Sequence, residues 1–185
     1  MTRWFKPEAH RKATPRMGSI FINYRRTEAY AAALLDEKIS PFFGATNVFR
    51  AGRSILAGAD YEVAINQAIT QCRVLLAIVG PGWSQKFGSH TDNKPDWTIR
   101  EIEGALERDI PIIPLLLSGV GAISEHDIPV NIARVARAQY LRFDYRNVEQ
   151  DARKIADELT RTVPALAARR FTRFSRVRLH VSRPH

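Results

Sequence analysis

A single cysteine, Cys72, in 185 residues leaves no intrachain disulfide to form and makes a reducing compartment the simpler setting. No apolar run approaches the roughly 20 residues that a membrane span requires. The N-terminus lacks the apolar middle of a secretory signal, because Lys6, Pro7, Glu8, His10, Arg11 and Lys12 interrupt it. These absences point to a cytoplasmic protein. The histidines (His10, His90, His126, His180 and His185) have no ligand spacing to one another or to Cys72, so no metal is expected. There is no GxxxxGK[ST] phosphate loop and no GxGxxG opening a helix, and Gly80-Pro81-Gly82 is no more than a strand end needs. No bound cofactor is expected.

What is present fits one α/β domain with short extensions, 45% of the residues being hydrophobic and 25% charged. The net charge of +9 would by itself favour a nucleic acid or an anionic membrane as partner. Its distribution argues otherwise. Residues 1–17 carry five Lys/Arg against one Glu and residues 165–185 carry six Arg and no acid, whereas residues 18–164 hold 17 bases against 18 acids. The expected organisation is a basic flexible leader (1–17), a near-neutral domain (18–164) and an Arg-rich extension (165–185). Nucleic-acid or membrane binding through that extension is a minor reading.

Within the domain, short β-branched runs alternate with helical periodicity. Strands are expected at 19–23, 47–49, 73–79, 110–117 and 139–143. Helices are expected from a Thr27 cap to Ile39 with Ala31, Leu34, Leu35 and Lys38 along its inner face and edge, from an Asp60 cap to Cys72, from Asp96 to about Leu106, and from Val148 to Val163. A short helix is expected at Asn131–Arg134. The Arg50–Ala59 segment reads as a mobile loop, residues 83–95 as an exposed loop, and the prolines of 110–117 as marks of an edge strand or an irregular entry. The alternation is that of a flavodoxin-like, doubly wound sheet of about five parallel strands with helices on both faces. A two-component receiver domain shares it, but the required Asp at the end of the third strand is replaced by Val79-Gly80-Pro81.

Ligands of such sheets bind beyond the carboxyl ends of the strands. Those ends supply Asn23-Tyr24-Arg25-Arg26, the Arg50–Asp60 loop, Gly80–Trp83, and the helix of DWTIREIEGAL (96–106). On that helix Ile99, Ile102 and Leu106 form an apolar stripe, and Trp97 and Glu101, four residues apart, share a neighbouring one. Arginines for phosphates, aromatics for a ring and one carboxylate for a sugar hydroxyl or a developing cation suit a dinucleotide.

Four stretches carry a resemblance. Ile20-Phe21-Ile22-Asn23-Tyr24-Arg25-Arg26, VFRAGRSILAGADY (48–61), RVLLAIVGPGW (73–83) and DWTIREIEGAL resemble, in order, the opening box, second strand with its BB loop, third strand and Glu-bearing helix of bacterial Toll/interleukin-1 receptor (TIR) domains. The resemblance spans about Gly18 to Pro164. Many such domains cleave the nicotinamide–ribose bond of NAD+, giving nicotinamide with ADP-ribose or a cyclised nucleotide, in immune or stress signalling that includes antiviral defence. Others only assemble with further TIR domains. The resemblance implies Glu101 as the catalytic carboxylate with Trp97 one turn before it, and Tyr24, Arg25 and Arg26 along the nucleotide cleft. It further implies that the Arg53–Asp60 loop, with Arg53 and Ile55 as contacts, opens or covers that cleft. NAD+ would be substrate, not cofactor. Asn23 stands where Ser is common, an exchange expected to matter little, and Arg50-Ala51 stands where many members have an acid, which leaves that loop's substrate contacts open. The alternative is a non-catalytic adaptor acting by self-association or by contacting a partner TIR domain through the Arg50–Asp60 loop.

Overall fold

The computed structural model describes residues 19–87 and 95–167. β1 (Ile20–Asn23), β2 (Val48–Phe49), β3 (Val74–Val79), β4 (Ile112–Leu117) and β5 (Leu141–Phe143) form one all-parallel sheet in the order β2-β1-β3-β4-β5. Strand periodicity sorts the side chains onto two faces. Ile20, Ile22, Leu76, Ile78 and Leu115 meet α1 (Ala29–Phe43) and α5 (Val148–Thr162). Phe21, Leu75, Ala77, Val79 and Leu116 meet α3 (Tyr61–Gln71), α4 (Trp97–Leu106) and the 3-10 helix Val130–Arg137. Burial on both faces is why β3 reads as a continuous apolar run. Among the described residues no helix is long and apolar enough to cross a membrane.

Several local expectations are corrected. Thr27 does not cap a helix: Arg26–Glu28 form a 3-10 turn, the Thr27 hydroxyl donates to Glu28 Oε1 at 2.7 Å, and α1 runs from Ala29 through Pro41 to Phe43. Its buried face is Ala32, Leu35, Asp36, Ile39 and Phe43, while Ala31 and Leu34 are only half-buried and Lys38 reaches out to Glu149 at 2.8 Å. The turn is held by Glu28, whose buried carboxyl lies so close to Gly80 that a Cβ there would come within 2.5 Å of it. β4 is an internal strand. The Leu75 N–H donates to the Pro111 carbonyl, so Pro114, three residues on, turns its missing N–H toward β5, whose pairing starts only at Leu115 with Leu141. Trp83, expected in an exposed loop, is buried with its ring edge-on to Phe87 at 4.6 Å. The expectations for the leader and for nearly all of the extension lie outside the described residues, although Leu166 is buried with the α1–α5 core.

The segment expected to be mobile contains a helical turn, α2 (Ala51–Ser54), fixed to α1 by ion pairs. Asp36, buried in α1, accepts from Arg50 Nε at 3.0 Å and from Arg53 Nε and Nη2 at 2.6 and 2.8 Å. Arg53 also donates to the Val48 carbonyl at 2.6 Å. Beyond it the chain is open: Leu56 is exposed and Gly58 has φ +82°, a backbone that favours glycine. Asp36→Ala leaves both guanidiniums without their carboxylate and is expected to cost about 2 kcal/mol in urea unfolding. That is less than the ~3–5 kcal/mol for breaking a fully buried pair, because Arg53 is 35% exposed. A loss below about 0.5 kcal/mol, the range of ordinary surface changes, would contradict the clamp.

Candidate active site

The period-two alternation that sends Ile20 and Ile22 to the α1–α5 face sends Phe21 and Asn23 to the α3–α4 face, so the last residue of β1 aims a polar amide at α4. On α4 the buried residues are Thr98, Glu101, Ile102 and Ala105, the spacing of a single helix stripe. That stripe is turned toward Glu101 from the Ile99–Ile102–Leu106 stripe expected, and Ile99 and Leu106 are partly buried at its margin. Gly104 faces α3, where an added Cβ would stand in ordinary contact, 3.4 Å from Ile69. Asp96 caps the helix by accepting from the Thr98 and Ile99 amides at 3.0 and 3.4 Å.

Glu101 is therefore not a solvated helix former but a carboxyl 6% exposed. Asn23 Nδ2 donates to its Oε2 at 2.7 Å and to the Thr98 carbonyl at 3.2 Å. Among the described residues no cation pairs with it. Burial pushes its pKa up from 4.5 to about 8, the nearby Asp96 adding to the rise and the Asn23 hydrogen bond opposing it.

Glu101 forms part of the wall of a cleft of about 510 Å³ at the carboxyl ends of the strands beside β1, in the size range of small-molecule sites, roughly 300–1,000 Å³. Tyr24, Arg25, Arg26, Trp97 and Glu101 all line it, as the strand-end argument requires. Their states differ. Arg25 is buried, pairs with Asp96 Oδ2 at 2.8 Å and stacks on Phe87 at 4.5 Å, so its charge is largely engaged within the protein. Arg26 is exposed. The Tyr24 hydroxyl accepts a long hydrogen bond, 3.4 Å, from the Gly52 amide of α2. Trp97 meets Tyr61 edge-on at 5.4 Å, and Arg100 lies 5.4 Å over its ring. Two expected contacts lie elsewhere. Arg53 is drawn to Asp36 on the α1 side, and Ile55 packs against the α3–α4 core, so neither lines the cleft.

The sequence reading missed Tyr61 and Lys86 as wall residues and did not foresee the contact of Asn23 with Glu101. Lys86 donates to the Thr27 hydroxyl at 2.7 Å and lies 3.4 Å from Glu28. Nothing in its loop sequence marks it. Tyr61 follows the Asp60 cap and so opens α3 at the cleft, a position the cap could have revealed. Its phenol is pushed up to about 12 by burial and by the neighbouring Glu101 and Tyr24. Asn23, where Ser is common, places its amide on Glu101. Among the described residues no three His, Cys, Asp or Glu gather in a way that could hold a metal ion.

The order of these elements, with the carboxylate on the helix after β3, corresponds to a known family, and the family model described as TIR domain matches residues 20–160. The chain belongs to the TIR domain family. No curated protein matches this TIR domain. Among solved structures it is similar to the TIR domains of the activated Roq1 resistosome that directly recognises the pathogen effector XopQ (10% identity, TM-score 0.54, 76% of this chain and 98% of that one). It is also similar to a metazoan TIR-STING receptor from C. gigas in complex with 2′,3′-cGAMP (19% identity, TM-score 0.52, 77% of this chain and 40% of that one). At these identities the likeness establishes the fold.

The burial of Glu101 is testable through stability. An acid whose pKa is higher in the folded state stabilises fully below its unfolded value and loses that contribution as pH rises through the folded value. The unfolding free energy of the wild type relative to Glu101→Gln should thus fall between pH 4.5 and 8 and level off above, by on the order of 5 kcal/mol in all. Parallel curves across that window, in chemical denaturation at each pH, would contradict the buried, unpaired carboxyl.

Proposed function

We propose that this TIR domain cleaves the nicotinamide–ribose bond of NAD+, releasing nicotinamide with ADP-ribose or a cyclised nucleotide. The observation that carries the reading is Glu101, a carboxylate without a cationic partner among the described residues, on the wall of a cleft that also presents Trp97, Tyr61 and Arg26. Nicotinamide is already a cationic leaving group and needs no general acid. The protein has to hold the ribose and stabilise the oxocarbenium-like transition state, which a single carboxylate accomplishes. Trp97 and Tyr61 offer aromatic surface to the pyridinium ring, and Arg26 offers charge to the diphosphate. Water or an atom of the same nucleotide then takes the anomeric carbon. The setting we infer is cytoplasmic immune or stress signalling, and it draws support from the kinds of protein whose TIR domains share the fold.

A second reading, an adaptor that self-associates or contacts another TIR domain, draws on the exposed Leu56 in the open part of the loop after α2. The two are separated by turnover. Purified protein incubated with NAD+ over a range of protein concentrations is expected to release nicotinamide, and Glu101→Gln to reduce the rate roughly 10²–10³-fold. No release at any concentration, or equal rates for the two proteins, would favour the adaptor.

The pH dependence follows from the burial of Glu101. Only the charged form of Glu101 can stabilise the oxocarbenium, and that form grows in as pH rises through about 8. The value of kcat/KM, which reports the free enzyme, is expected to climb through about pH 8 and then level off. The limb of kcat should lie lower, because the pyridinium cation of bound substrate favours the carboxylate. A kcat/KM flat between pH 6 and 9 would remove Glu101 from that role.

A further inference from the structure

We propose that Asn23 is the positioning residue of the cleft: its amide ties the Glu101 carboxylate and the first turn of α4 to the end of β1, so that the sheet aims the carboxylate. The inference rests on the reading of Glu101 as the working carboxylate.

One side chain makes both attachments. Asn23 Nδ2 donates to Glu101 Oε2 at 2.7 Å and to the carbonyl of Thr98, one turn earlier on α4, at 3.2 Å. The orientation of the amide is set by the Thr98 carbonyl, a pure acceptor, and by the charged form of Glu101, because the reversed amide would set Oδ1 against both. Asn23 is fully buried, and its Oδ1 has no hydrogen-bond partner among the described residues. A buried acceptor left unsatisfied is unfavourable, so this geometry is held by the two donor contacts. Glu101 is carried by a helix, where a long side chain has several rotamers open to it; the amide selects the one that faces the strand end.

The same contact acts on protonation. The charged groups and tyrosines around Glu101 come from each neighbouring element: Asp96 on α4, Tyr61 on α3, Tyr24, Arg25 and Arg26 after β1, and Lys86 after β3. Asp96 raises the carboxyl's affinity for a proton and is itself paired with Arg25. Tyr61, pushed up to about 12, stays neutral through the working range. Of the contacts acting on the carboxyl, the Asn23 hydrogen bond is the one that opposes burial. Removing it makes the charged form less favourable, so the carboxyl is expected to hold its proton to higher pH.

The test uses the full chain with 13C-labelled glutamate carboxyls, the Glu101 signal being assigned by its loss in Glu101→Gln. In the wild type its titration is expected to centre near pH 8. In Asn23→Ala it should move up by roughly one pH unit, the loss of one charge-assisted hydrogen bond. With NAD+ as substrate, kcat should fall roughly 10- to 100-fold with KM within about threefold, and the rising limb of kcat/KM should follow the titration upward. Asn23→Ser, which keeps a shorter donor, should lie between wild type and Asn23→Ala in both readouts, and it carries the test if the alanine variant fails to fold. A titration shift without NAD+ turnover in the wild type would uphold Asn23 and overturn the proposed reaction. Turnover with an unmoved titration and an unchanged kcat in a folded Asn23 variant would overturn the role of Asn23 and leave the reaction standing.

Discussion

The structure is organised around Glu101, a buried carboxyl with which no cation pairs among the described residues. An unpaired charge inside a protein is costly, and the usual resolution is to keep the proton. Glu101 does this by virtue of its burial, with Asp96 adding to the rise in its pKa. The Asn23 amide favours the charged form, and the wall opposite is aromatic and open to a ligand. On the reading proposed above, the site is completed by a cation. The leaving group of NAD+ is such a cation, and the sugar bearing it becomes one as the bond breaks.

The cationic side chains are distributed in keeping with this. Arg25 is engaged by Asp96 and Phe87, where it secures the start of α4, and Arg50 and Arg53 are engaged by Asp36, where they secure α2. Arg26 stays exposed at the mouth, where an anionic group of a ligand would lie. The acids Asp36 and Asp96 thus fix α2 and the start of α4 through the arginines they hold.

Much of this arrangement was legible in the sequence, for identifiable reasons. Strands and helices follow period-two and 3.6-residue patterns, and β3, buried on both faces, is unmistakable as Val74–Val79. The Asp60 and Asp96 caps fixed the starts of α3 and α4. The strand-end rule then gathered Tyr24, Arg25, Arg26, Trp97 and Glu101 at one place. What escaped depends on contacts between distant residues. Pairing of Arg53 with Asp36 joins positions 17 apart and turned an expected loop contact into a structural clamp. The 3-10 turn that displaced Thr27 from its cap depends on Gly80, in another strand's loop, leaving room for Glu28. Asn23 was judged by side-chain type, whereas its importance comes from pointing at a residue 78 positions away.

The central claim is that the nicotinamide end of a dinucleotide lies against position 101. Its most direct test is a crystal structure of Glu101→Gln, which retains the shape of the cleft but not the charge, with NAD+ bound. The expected result places the nicotinamide ring beside Trp97 and Tyr61, the adjoining ribose within hydrogen-bonding reach of the side chain at position 101, and the diphosphate toward Arg26. A dinucleotide seated with its nicotinamide end away from position 101, or a cleft still empty at saturating NAD+, would contradict the account.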